Sequence, residues 1–230
     1  MIDVSIFLPS KGRPEWLAKA VANIKEEAAG LNWHLMVIAD GLVPVVQDEH
    51  IRVLPQGNDL FRVYNEAIIK YAMGKWTLPW CDDVFFRPGA LRRAIMTLDQ
   101  HPDALAGVFY MSEKGTKCSV PLFEGVLQWN FGLVRSTFLK QLGGFNPSYP
   151  WMFQDTEIGF ESWFAGQPVI ALTGSCVVHE RVMDAGRSER EQSFEVSRAL
   201  FWKKWGPHFN QIKATAQQHP VAVEFCPERH

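Results

Sequence analysis

No stretch of the 230-residue sequence approaches the ~20 uninterrupted apolar residues that a bilayer-spanning helix needs. The start, Met1-Ile2-Asp3-Val4, lacks the basic residues and apolar run of a secretion signal, so the expected location is cytoplasmic. Cysteine is scarce. Cys81, Cys118, Cys176 and Cys226 are widely spaced and form no C-x-x-C pair, which argues against a structural zinc site. They read as reduced thiols, with disulfides as the lesser alternative. Net charge is nearly absent too: 23 Lys and Arg against 25 Asp and Glu leave −2, so nothing draws the whole chain to nucleic acid or anionic lipid. A short basic patch remains compatible with that balance. Internal repeats, low-complexity segments and long linkers are also missing, which excludes solenoids and collagen-like or disordered chains.

What is present is 47% hydrophobic and 13% aromatic residues, an ordinary composition for one globular domain. Val4-Ser5-Ile6-Phe7-Leu8 is a nearly continuous apolar run ending at Pro9, as in a strand covered on both faces. The loop Ser10-Lys11-Gly12-Arg13 follows, and Pro14 opens a helix whose Leu17, Val21 and Ile24 share a face until Gly30. The unit repeats with strands at 35–39, 51–54 and 76–80 and a helix marked by Leu60, Tyr64, Ile68 and Tyr71. Such alternation implies a parallel sheet with helices on both faces, although Pro79 is awkward inside a central strand. The second half is less regular and is expected to mix in antiparallel strands. It offers a helix at 91–98, strands near 104–111 and 126–134, a helix at 156–165 and a final charged helix at about 187–205 lying across the core.

In parallel α/β sheets ligands settle outside the carboxyl ends of the strands, which singles out Ser10 to Arg13, Asp40, and Asp82-Asp83. Two adjacent carboxylates at the end of a buried strand repel each other and lose hydration, and a divalent cation or a hydroxyl-rich ligand offsets that cost. Mn2+ or Mg2+ bridging to a diphosphate fits, because such ions keep room for phosphate oxygens. A solvated turn or a helix cap near Pro88 explains the pair equally simply. Asp155 and Glu157 open a helix, where acids are commonly dipole partners, yet a carboxylate at such a junction is also how a general base is aimed at a cleft. His179 ends the apolar run Val177-Val178 and is a structural residue or a ligand. Arg13, Arg62, Arg181 and Arg187 are phosphate candidates, and Trp129, Trp151 and Trp163 have flat faces for a sugar or a place in the core.

Taken in order, these residues resemble an inverting family-2-type glycosyltransferase. Val4-Ser5-Ile6-Phe7-Leu8-Pro9 with Arg13-Pro14 is similar to the family's first strand and nucleotide-binding loop, and Ile38-Ala39-Asp40-Gly41 to its second strand. Tyr64-Asn65-Glu66-Ala67-Ile68 through Cys81-Asp82-Asp83 to Pro88-Gly89-Ala90-Leu91 is similar to the helix, strand and DxD region. Gly143-Gly144-Phe145 followed by Gln154-Asp155-Thr156-Glu157 resembles the segment carrying the base. Val177-Val178-His179 resembles a late metal- or diphosphate-binding strand, and Lys204-Trp205-Gly206 the C-terminal ending. The likeness spans residues 3–206. It departs at Cys81, which holds the first DxD position, and at Gln154, where the family often has glutamate.

The resemblance implies a GT-A (Rossmann-like) α/β single domain with a mostly parallel central sheet flanked by helices. It would cover residues 1–210, with a nucleotide-binding half to about 100, a catalytic half after it, and a tail over 211–230. The implied activity is metal-dependent transfer from a nucleoside-diphosphate sugar, most commonly a UDP-sugar, to an acceptor hydroxyl. Pro9, Ser10, Arg13, Asp40, Asn65 and Asp82 would bind the donor, Asp83 and His179 the Mn2+ or Mg2+, and Asp155 would be the base. Trp129, Gln154 and Glu157 would meet the acceptor, which is a glycan, a small molecule, a protein or a modified DNA base. Two rivals stand: a non-catalytic nucleotide- or carbohydrate-binding member of the fold, and a sugar nucleotidyltransferase. The latter normally has a Gly-rich phosphate loop, for which Ser10 to Arg13 is too poor in glycine.

Overall fold

The computed structural model describes residues 2–40, 48–55, 60–112, 117–150, 152–180 and 193–225. The opening run forms β1 (Val4–Lys11), which sends Val4, Ile6 and Leu8 into one hydrophobic core and Phe7 into the other, so both faces are covered. The strand runs on where a loop was expected: Ser10 and Lys11 pair with Ala39 and Asp40 of β2 (Trp33–Asp40). Pro9 costs nothing there. Phe7 O accepts a hydrogen bond from Trp80 N–H at 2.8 Å, so the backbone groups of residues 7 and 9 face β4 (Trp76–Pro79), whose pairing with β1 stops at Phe7. The N–H that Pro9 lacks would have met no ladder partner. Pro79 is accommodated in the same way, because Trp76 and Trp80 donate toward β1, which turns residue 79 toward β10 (Gly132–Arg135), paired with β4 only at Trp76 and Thr77.

Helix α1 (Pro14–Glu27) buries Leu17, Val21 and Ile24. Its Glu27 carboxylate accepts from Gly89 and Leu91 N–H, anchoring the start of α3 (Ala90–Asp99). Beyond β3 (Ile51–Pro55) and α2 (Leu60–Tyr71), Gly74 is required by proximity: a Cβ there would lie 2.8 Å from Ser5 N. The Ser5 hydroxyl accepts from Met73 and Gly74 N–H and fixes that approach.

The sheet is mixed. β3, β2, β1 and β4 are parallel, and β10 then runs antiparallel to both β4 and β6 (Ala106–Ser112). β11 (Val169–His179) is parallel to β6 and antiparallel to β5 (Val84–Phe86). The single strand expected over 126–134 is two, β9 (Val126–Leu127) and β10, because β9 pairs with β8 (Leu122–Phe123) in a separate ribbon. After α4 (Ser136–Gln141) and α5 (Gln154–Phe164), the C-terminal helix α6 (Phe194–Trp205) buries Phe201 and Trp205 across the core. The stretch read as a tail carries α7 (Phe209–Gln217), with Ile212 fully buried, and β12 (Glu224–Phe225), paired with β7 (Cys118–Ser119).

One expectation is overturned. Cys118 and Cys176 form a disulfide with Cα atoms 6.5 Å apart, although 58 residues separate them in sequence. β6 pairs with both β7 and β11 and so brings the two cysteines together, which spacing alone cannot reveal. Cys81 is a thiol, and Cys226 lies outside the described residues.

Candidate active site

The ends of β1 and β4 meet at the turn Cys81-Asp82-Asp83. Trp80 fixes this turn, its indole N–H donating to Val84 O at 3.0 Å while the ring stacks on Phe86 with centroids 4.2 Å apart. Asp82 is 0% exposed. Its Oδ2 accepts from the Ser10 hydroxyl at 2.7 Å, and its Oδ1 faces Arg13 Nη2 at 2.5 Å, an ion pair without hydrogen-bond alignment. Burial pushes the Asp82 carboxyl above its ordinary range, against the pull of Ser10 and Arg13. Asp83 is placed by the pairing of β5 with β11: Val84 lies opposite His179, and Glu180 N–H donates to Asp83 O at 2.9 Å. His179 Nε2 and Arg13 Nη1 each stand 3.7 Å from Asp83 Oδ2. The His179 ring rests edge-on against Phe131, which itself holds φ +48°.

Asp155 enters from the other half. It lies in the first turn of α5, after Met152 and Phe153 at φ +63° and +69°. Two consecutive left-handed residues without glycine are costly, roughly 1–3 kcal/mol each, and persist only where packing dictates them. Here Phe153 is held by Phe123, Phe194 and Phe201. Burial raises the Asp155 carboxyl above its ordinary value, while the Thr156 N–H, at 2.8 Å, works the other way. Burial also pushes the Cys81 thiol up, followed by the charges of Asp83 and Asp82 and, in the same direction, that of Asp155.

Other expected residues do other work. Trp129, 2% exposed, donates to Leu133 O and packs near Phe145, so the expected acceptor contact is corrected to a core residue with no face to offer. Trp163 is likewise buried. Asn65 clamps the Phe145 backbone, its amide donating to Phe145 O at 2.7 Å and accepting from Phe145 N–H at 2.8 Å. It is therefore not gathered with Ser10, Arg13 and Asp82. Gln154 is buried and donates to Tyr149 O. Glu157 accepts from Asn146 and from Lys204, which also reaches Glu161 at 2.7 Å. Burial opposes the Lys204 charge, and the hydrogen bonds with Glu157 and Glu161 outweigh it, so its pKa is raised. Pro9 lies in β1 beside Ser10, and Arg62 pairs with Glu66 on the surface. Asp40 ends β2 in register with Lys11, its side chain outside what the structure describes, as are Trp151, Arg181 and Arg187. The links of Asn146 and Lys204 to Glu157 do not follow from the sequence, which marks only the neighbouring Gly143-Gly144-Phe145 and the Lys204-Trp205-Gly206 motif.

No protein-family model matches the chain, and no curated protein matches it in sequence. Solved structures do match in shape. Mannosyltransferase PcManGT from Pyrobaculum calidifontis, in complex with GDP-Man and Mn2+, superposes with a TM-score of 0.63 at 14% identity over 95% of this chain and 65% of that one. S. aureus TarS in complex with UDP-GlcNAc gives 0.62 at 13% identity over 81% and 61%. The chain has a GT-A fold. It spans less than two thirds of the length of these neighbours, and at such identities the likeness speaks for the fold alone. Within this fold the Cys81-Asp82-Asp83 turn follows the end of β4, and Asp155 lies in the first turn of α5.

Proposed function

We propose that the chain transfers a sugar from a nucleoside-diphosphate donor, a UDP-sugar first, to an acceptor hydroxyl with inversion, in the cleft between the Asp82-Asp83 turn and Asp155. The observation that carries this is Asp155 itself: a half-buried carboxylate in the first turn of a helix, set there by strained backbone, its pKa raised by loss of hydration. Ser10 and Arg13 hold Asp82 for the donor's ribose or sugar. Asp155 takes the proton of the acceptor hydroxyl as its oxygen attacks the anomeric carbon from the face opposite the departing diphosphate. One displacement inverts the centre and needs no second catalytic carboxylate. Residues to about 100 serve the donor, and 101–210 supply the base and acceptor contacts.

A divalent cation fits this site. Among the described residues no three His, Cys, Asp or Glu side chains converge as a closed cage, but Asp83 and His179 face each other, and Mn2+ and Mg2+ commonly take few protein ligands beside phosphate and water. When bound there, the metal would neutralise the diphosphate and the charge that grows on it as it leaves. The neighbour bound to GDP-Man and Mn2+ and the one bound to UDP-GlcNAc support the reading. A non-catalytic donor-binding role is the second reading, favoured by Cys81 in the first DxD position and by the hold of Arg13 on both aspartates. Among the described residues no helix is long and apolar enough to cross a membrane, and a cytoplasmic location remains part of the proposal. The Cys118–Cys176 disulfide stands against it, since cytosolic thiols are usually kept reduced.

The test is calorimetric titration with UDP, GDP, UDP-GlcNAc and GDP-mannose, with and without Mn2+. At least one nucleotide is expected to bind, more tightly with Mn2+, and Asp83→Ala to abolish the Mn2+ increment. An unaltered increment in that variant would overturn the ligand assignment, and no binding at all would overturn the function.

A further inference from the structure

A cavity of about 220 Å³ opens between the 142–147 loop, one flank of α5 and Lys204. Residues 157, 158 and 161 share that flank at three- and four-residue spacing, while Asp155, two residues before Glu157, projects from another side of the helix. The wall is built in advance. Asn65 clamps Phe145 from both sides, and the Glu157 side chain, 7% exposed, is tied to Asn146 and Lys204, which holds Glu161 as well.

The chemistry of the lining selects a class of ligand. Glu157 and Glu161 repel an anion, and the Lys204 ammonium between them repels a second cation. A neutral ligand bearing several hydroxyls meets both needs, donating to the carboxylates and accepting from Lys204 and the Asn146 amide. Phe145 and Ile158 lie behind the lining, 8% and 2% exposed, so the polar groups carry the recognition. By volume the cavity holds about seven waters at ~30 Å³ each, the scale of one sugar ring and not of a chain. Phe145 is only 8% exposed, so no broad aromatic face is offered to a nucleobase.

We infer that this cavity is a saccharide subsite, recognising one ring of a carbohydrate acceptor through Asn146, Glu157, Glu161 and Lys204. Binding of a saccharide there stands on the cavity alone, whereas its role as acceptor rests on the transferase reading above. The acceptor is then a glycan or small glycoside, and a protein side chain or DNA base is disfavoured.

The experiment is saturation-transfer NMR and calorimetry on the full chain without donor, using the methyl glycosides of glucose, galactose, mannose and N-acetylglucosamine as probes. At least one glycoside is expected to bind saturably. Glu161→Leu should weaken it about tenfold or more, the scale of a lost hydrogen bond to a charged group. If Glu161→Leu fails to fold, Glu161→Gln is expected to weaken binding about threefold or more on the scale of a neutral-for-charged hydrogen bond. Absence of binding by all four probes, or equal affinity in the folded Glu161 variant, overturns the subsite. Transfer that survives Asp155→Asn would overturn the base and not this inference, because glycoside binding is read without turnover.

Discussion

The two acid pairs, Asp82-Asp83 and Asp155-Glu157, are built to one plan on unlike scaffolds. In each, one member is anchored by side chains distant in sequence and the other is held by fewer of them. Asp82 is fully buried and held by Ser10 and Arg13, while Asp83, its side chain 14% exposed, stands 3.7 Å from His179 and from Arg13. Glu157 is held by Asn146 and Lys204, while Asp155 is bonded by its own neighbour Thr156. The anchored acids fix geometry, and the companions are the ones we assign to chemistry. The scaffolds differ in how they reach this. The first pair sits on parallel strand ends whose position follows from local pattern, and the second on a helix start held in a strained pose by aromatic rings from α6.

The comparison breaks most sharply at Asp155. Asp155→Asn should lower turnover about 10³-fold, within the range for general-base removal, without lowering Tm. The sign follows from the raised pKa: a carboxyl whose folded pKa exceeds its unfolded value contributes stability in its protonated form, fully present below the ordinary 3.8 and lost as pH rises through the folded value, so replacing the carboxylate by a neutral amide does not destabilise at pH 7. The same shift places the acid limb of the rate profile above pH 3.8, to be checked by kcat/KM against pH. If Tm falls with activity, Asp155 belongs with the anchored members.

Arg13→Ala should cost about 3–5 kcal/mol in denaturant unfolding, because it leaves Asp82 buried and without its ion-pair partner. Lys204→Met is milder, about 1–3 kcal/mol, since its own head is 43% exposed and Asn146 still serves Glu157. Burial works against the Lys204 charge and its two glutamate partners overcome it, so the stability it contributes is present below pH 10.5 and is lost above that. The smallest effect on function belongs to Trp129→Phe. It should reduce stability by roughly 1–3 kcal/mol and leave KM for any acceptor unchanged, as a core residue must.

Legibility follows the same divide. The apolar runs at 4–8 and 35–39 and the helical spacing of Leu60, Tyr64 and Ile68 reveal the parallel half, because each element is decided by neighbours three or four residues away. The mixed half depends on distant partners: Phe153 takes its left-handed pose under Phe201, Val126-Leu127 leaves the main sheet to pair with β8, and Cys118 meets Cys176 across β6. Trp129 shows the limit plainly, since one aromatic in sequence looks the same whether it stacks on a sugar or donates to Leu133.

The central claim is tested most directly by the release of nucleoside diphosphate from UDP- and GDP-sugars, to water or to the saccharide probes, in wild type, Asp83→Ala and Asp155→Asn. The account predicts release by the wild type, loss in both variants, and retained nucleotide binding in Asp155→Asn. Equal release by wild type and Asp155→Asn, or binding without release under every donor, would contradict it.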